Sequence, residues 1–146
     1  MGTSAKIISA DKFTIAVAGS HVKTTVSSMI AHILTQSGFG CSAFLGGIAA
    51  NYNSNFIHGR NDVVVIEADE FDRSFHRLAP DMAVITAVDT DHLDIYGSRE
   101  AIEDTFVEFV GKLQPNGKVI AQQEVTILPR IEDKELLTYG INAGAD

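Results

Sequence analysis

The chain has 146 residues, 45% hydrophobic and 21% charged, enough for one ordinary core and too few for two full domains. Its formal net charge of −8 at pH 7 argues against non-specific binding to nucleic acid or to an anionic membrane surface. The single cysteine, Cys41, excludes an internal disulfide and fits a reducing cytoplasm, and no apolar run reaches membrane-spanning length.

Residues 1–12 read as a leader or the end of an interdomain linker, and residues 13–146 as part of a single domain. Thr14 to Ala18 is a short, unbroken apolar run bounded by Gly19, which predicts a buried strand. The pattern becomes helical from Thr24, with Val26, Met29, Ile30, Ile33 and Leu34 on one stripe and Gly38 at the position of a left-handed C-terminal residue. Cys41 to Leu45 is a second, weaker strand. Gly46 to Asn61, rich in Gly and Asn and without a period, is expected to be an extended loop.

Val63 to Ile66 is the clearest strand and ends in the acidic group Glu67, Asp69, Glu70 and Asp72. Met82 to Thr86 is another, ending in Asp89, Asp91, His92 and Asp94. Ser98 is placed to cap a helix whose apolar stripe is Ile102, Phe106, Phe109, Val110 and Leu113, with Glu100 and Glu103 near its positive end. Pro115-Asn116-Gly117 makes a turn, Lys118 to Ala121 a strand, and Leu136 to Tyr139 a further strand.

Unbroken apolar strands alternating with helices indicate an α/β fold: a mostly parallel sheet with helices on both faces. In such sheets the ligand sits outside the carboxyl ends of the strands. Three polar clusters lie just past strand ends: Gly19 to Thr24, Glu67 to Asp72, and Asp89 to Asp94. They are therefore expected to converge on one edge of the sheet.

The first cluster, Gly19-Ser20-His21-Val22-Lys23-Thr24-Thr25, has the order strand, loop, Lys-Thr, helix. Backbone N–H groups at a helix start face an anion, and the helix dipole favours negative charge there. Lys23 would add a point charge on the phosphates, and Thr24 would supply a hydroxyl to Mg²⁺. Glu67, at a neighbouring strand end, would complete a hard oxygen shell, and His92 would serve a second ion or orient a water. The chemistry this set fits is phosphoryl transfer from a nucleoside triphosphate.

Ordinary structural readings stand beside these. Lys-Thr-Thr occurs at helix starts by chance, acidic runs are commonly solvated surface, and a histidine among aspartates is commonly a surface residue. His32 is expected to face solvent or the core edge, Cys41 to be a small buried hydrophobe, and Phe71 and Phe75 to be packing residues.

The loop at Ala18 to Thr25 resembles the Gly-Thr-His-Gly-Lys-Thr-Thr loop of the Mur amide ligases. Glu67-Ala68-Asp69-Glu70-Phe71-Asp72 resembles the Glu-Ala-Asp-Glu-Ser-Asp motif of the alanine-adding member. Asp91-His92-Leu93-Asp94-Ile95-Tyr96-Gly97 is similar to that member's Asp-His-Met-Asp-x-Tyr segment. The three motifs occur in the family's order over residues 13 to 113.

The resemblance implies a partial central ATP-binding domain of P-loop type, over residues 13–146. The parent would be a cytoplasmic enzyme that joins L-alanine to UDP-N-acetylmuramate during peptidoglycan precursor synthesis. ATP would phosphorylate the lactyl carboxylate, and the amine would then attack the acyl phosphate. Lys23 would hold the β/γ-phosphates, Thr24 and Glu67 the first Mg²⁺, and His92 the second metal, with Glu70 and Asp91 as neighbours and Thr25 touching phosphate through its backbone. In the family a UDP-binding domain precedes this one and an amino-acid-binding domain follows it, so this piece is expected to be inactive alone. Truncation would also expose apolar surface, which makes self-association possible.

Val22 departs from the family's glycine. If the position needs φ > 0, a β-branched residue there is strained by about 1–3 kcal/mol, which is roughly five- to 150-fold in affinity. Weak or absent ATP binding is the expectation. Two other readings remain: a degenerate, non-catalytic binding module whose nucleotide site is impaired by Val22, and an unrelated P-loop NTPase, which the second and third motifs argue against.

Overall fold

The computed structural model describes residues 12–49, 54–69, 77–89 and 97–141, with side chains at 46–49 and 54–56 excepted. His92, with Glu70, Asp91, Asp72, Asp94, Phe71 and Phe75, lies outside the described residues.

Among the described residues seven strands form one sheet: β1 Phe13–Ala18, β2 Ser42–Ala49, β3 Ser54–Ile57, β4 Val63–Glu67, β5 Met82–Ile85, β6 Lys118–Gln122 and β7 Glu135–Tyr139. The order across the sheet is β3-β2-β4-β1-β5-β6-β7. Every pairing is parallel except β2 with β3. Helix α1, Lys23–Gln36, follows β1, and helix α2, Arg99–Gly111, lies between β5 and β6 in the chain.

Alternation along β1 sends Ala16 and Ala18 into one core and Ile15 and Val17 into the other. The first core is closed by Ile102, Phe106, Phe109 and Val110 of α2, together with Val125, Ile127 and Ile131 of the β6–β7 connection. The second takes Ala31 of α1 and Cys41, with Val26, Ile30 and Leu34 packed at its edge. Both faces of the sheet are covered, which is why its strands read as continuous apolar runs.

The capping of α2 is as expected: Ser98 is extended and its hydroxyl accepts from the Ala101 N–H at 3.1 Å. Gly38 has φ 85°, the left-handed residue predicted after α1.

Two expectations are corrected. The stripe of α1 is turned from its predicted position: Val26, Ile30 and Leu34 pack against the core as expected, but Ser27 and Ala31 are the buried residues, while Met29 and Ile33 are 58% and 61% exposed. The small side chains of Ser27 and Ala31 let the helix lie close to the sheet, with Val26, Ile30 and Leu34 flanking that contact line. The predicted loop at 46–61 contains the end of β2 and all of β3, an antiparallel pair with a register shift between Phe44 and Ala49. Gly46 and Gly47 sit inside that interval, and glycine within a strand commonly accompanies such an irregularity.

Candidate functional site

The ends of β1, β4 and β5 are level. Val17 pairs with Glu67 and Ala18 with Ile85, and the N–H groups of Ala68 and Thr86 donate to the carbonyls of Val17 and Ala18 at 2.8 and 3.0 Å. The three loops leaving these strands therefore emerge along one edge, on either side of the central strand. The order in which successive strands are added switches sides here, with β2, β3 and β4 to one side of β1 and β5 to β7 to the other, the usual place for a ligand in an open α/β sheet.

The loop from Gly19 to Val22 carries the chain from β1 into α1. Gly19 has φ 147°, and a Cβ built on it would lie 2.0 Å from the Thr86 hydroxyl and 2.9 Å from the Ala87 nitrogen, so only glycine fits. Val22 is the N-cap of α1 with φ 56° and ψ 18°, the one non-glycine residue with positive φ among the described residues. Its side chain is 57% exposed and makes no capping bond. A β-branched residue is thus held in a backbone region natural to glycine.

The side chains of the loop turn onto the other two strand ends. The Thr24 hydroxyl lies 2.9 and 3.0 Å from the two carboxylate oxygens of Glu67, joining residues 43 apart in sequence. His21 Nε2 lies 3.1 Å from Asp89 Oδ2 beyond β5. The Asp89 N–H donates to the Ser20 hydroxyl at 2.8 Å, and the Ser20 N–H to the Ala87 carbonyl at 2.9 Å. Lys23 Nζ donates to the Gly19 carbonyl at 2.8 Å, folding its ammonium back across the loop.

Lys23, Thr24 and Glu67 thus stand on one edge as the sequence predicts, alongside Gly19, Ser20 and His21. Sequence reasoning passed over Thr86, whose hydroxyl donates to the His21 carbonyl at 2.6 Å. The available signal was a polar residue closing an apolar strand at the ligand-facing end of the sheet.

Thr24 and Glu67 are hard oxygen donors, the kind Mg²⁺ takes. Their separation matches the edge of an octahedron with metal–oxygen bonds near 2.1 Å, about 3 Å. Among the described residues no three His, Cys, Asp or Glu side chains gather into a metal cluster. A hydroxyl and a carboxylate suit an ion that also takes phosphate and water oxygens.

Residues 17–146 match the family model of the Mur ligase middle domain. The chain belongs to the Mur ligase family. A UDP-N-acetylmuramate–L-alanine ligase of Parabacteroides distasonis is 50% identical over 132 residues, covering 89% of this chain and 29% of that protein. One from Cytophaga hutchinsonii is 48% identical over 137 residues, covering 91% of this chain and 29% of its own length. The chain thus spans under a third of these relatives. Among solved structures, UDP-N-acetylmuramate-alanine ligase MurC of Thermotoga maritima superposes with a TM-score of 0.77 at 28% identity, over 97% of this chain and 31% of that one. The MurF ligase of the same organism, solved in complex with ADP, shares the fold with a TM-score of 0.76 at 19% identity, over 99% and 36%. The mostly parallel sheet with helices on both faces is the architecture of this Mur ligase domain.

Proposed function

We propose that this chain is the nucleotide-handling portion of a cytoplasmic, ATP-dependent ligase that adds L-alanine to UDP-N-acetylmuramate through an acyl phosphate. The observation that carries the reading is the contact of Thr24 with Glu67, which joins the Lys-Thr loop to the acidic motif after β4. About half of the residues are identical to relatives that bear this ligase name. In this reading the N–H groups from Gly19 to Thr25 receive the phosphates, and Lys23 leaves the Gly19 carbonyl to meet the β/γ-oxygens. Thr24 and Glu67 hold Mg²⁺, which supplies neutralisation of phosphate charge when bound. His92 serves a second ion, with Glu70 and Asp91 nearby. Phosphoryl transfer asks the protein chiefly for positioning and charge compensation, and a chain of net charge −8 needs both at this edge. The apolar side chains Met29, Ile33 and Phe39, each more than half exposed, support self-association of the 146-residue chain.

The test is equilibrium binding of Mg-ATP to the unsubstituted chain, to Thr24→Ala and to Glu67→Gln. Each substitution should weaken binding roughly tenfold or more, and chelation of Mg²⁺ should erase most of the difference between them. Equal affinity in all three proteins would refute the assignment. The left-handed Val22 is the observation behind a second reading, a module with the ligase fold whose nucleotide site is impaired, which holds to the extent that its strain differs between free and loaded protein.

A further inference from the structure

The exit of β5 is tied to the loop after β1 by more than packing. Thr86 is buried, 5% exposed, and its hydroxyl lies 2.6 Å from the His21 carbonyl and 3.3 Å from the Ala18 carbonyl. A hydroxyl has one proton to give, and the shorter contact takes it. The missing Cβ of Gly19 is the space that this hydroxyl fills. On the outer side of the same loop, Ser20 exchanges hydrogen bonds with Ala87 and Asp89, and His21 meets the Asp89 carboxylate.

A peptide group is planar, so fixing the His21 carbonyl toward β5 turns the N–H of Val22 the opposite way. It also limits the rotation that would let Val22 relax from φ 56°. A left-handed β-branched residue persists only where its surroundings over-determine it. Here the surroundings are the Thr86 hydroxyl beneath and the Asp89 contacts beside.

We propose that Thr86 is a positioning residue for the phosphate loop: its hydroxyl fixes the His21–Val22 peptide so that the N–H groups opening α1 stay aimed at the anion. The inference rests on reading Gly19 to Thr25 as that loop. Thr86 itself touches no phosphate in this scheme, and Asp89 is its outer partner. Through the same contacts, residues 86–89 are held in step with the loop.

Two measurements on the 146-residue chain test this. Amide hydrogen exchange of residues 19–25, taken without nucleotide, should accelerate about tenfold in Thr86→Val, which keeps the shape and loses the hydrogen bond, while β4, β6 and α2 exchange as before. Thr86→Ser, which keeps the hydroxyl, should return exchange close to that of the unsubstituted chain. Mg-ATP affinity should fall roughly five- to fifty-fold in Thr86→Val and less than about twofold in Thr86→Ser. Unchanged loop exchange in folded Thr86→Val overturns the proposal, and so does faster exchange with Mg-ATP affinity intact. Should Thr86→Val fail to fold, Asp89→Ala, at a side chain 46% exposed, must loosen the same amides or the clamp is wrong. Absence of Mg-ATP binding by the unsubstituted chain sinks the phosphate reading on its own. The exchange measurement then still decides whether Thr86 holds the loop.

Discussion

Val22 concentrates the tension between fold and site. A valine at φ 56° carries about 1–2 kcal/mol of steric cost that glycine escapes. From sequence, that cost looks like lost affinity. The loop contacts change the accounting, because Thr86, Ser20 and Asp89 hold the strained shape whatever occupies the site. A cost borne equally by free and loaded protein lowers stability and leaves affinity alone; affinity suffers only to the extent that the loop escapes. The side chain is 57% exposed, so removing it forfeits little burial. Val22→Gly should therefore raise the free energy of unfolding by about 1 kcal/mol and tighten Mg-ATP binding by no more than about tenfold. Urea unfolding and a binding isotherm on the same two proteins check both numbers. A hundredfold gain in affinity with unchanged stability would place the strain in the complex instead.

Among the elements, α2 shows how surface charge and packing cooperate. Its buried stripe of Ile102, Phe106, Phe109 and Val110 closes one core, while Glu103 on its flank accepts from the Thr126 hydroxyl at 2.6 Å and from Arg99 at 3.1 Å. The Thr126 hydrogen bond, aided by Arg99, holds the Glu103 carboxyl below its ordinary 4.5. A carboxylate whose folded value is depressed stabilises the fold above the unfolded value, and that stabilisation is lost as pH falls through the folded one. The difference in urea midpoint between the unsubstituted chain and Glu103→Gln should be present at pH 7 and shrink below about pH 4.5. A gap that grows on acidification would contradict this.

The same helix also shows what could be read from sequence. Ser98, the α2 stripe and strands β1, β4, β5 and β6 are written in local pattern, because each combines period, cap or turn within a dozen residues. The turned stripe of α1 and strand β3 are not. Ser27 and Ala31 are buried because the sheet admits close approach there, and β3 exists because β2 offers it an edge. Both facts belong to the partner surface. At the site, the meeting of Thr24 with Glu67 followed from the strand-end rule, whereas for Thr86 the sequence offers only its place at the end of an apolar strand, because the carbonyl it bonds has no sequence signature.

For the whole molecule, the decisive quantity is how much of the reaction one sheet edge can organise. An amide ligase must bring a carboxylate to the γ-phosphate and then an amine to the acyl phosphate, and aligned placement is worth roughly 10⁵–10⁸ M in effective concentration. In the proposed reading the described groups at this edge, Lys23, Thr24, Glu67 and the loop amides, would all address phosphate or its metal. The portion of the relatives that the chain matches is 29% of their length. In the proposed reading the groups that place carboxylate and amine belong to the rest of such a ligase, so both would reach the 146-residue chain by diffusion, with that advantage forfeited. Incubated with Mg-ATP, UDP-N-acetylmuramate and L-alanine, the chain should bind nucleotide yet release no ADP that depends on alanine. A coupled assay run with and without each acceptor measures this directly. Release that requires both acceptors would mean that these residues, and not the remainder of the ligase, hold all three substrates in line.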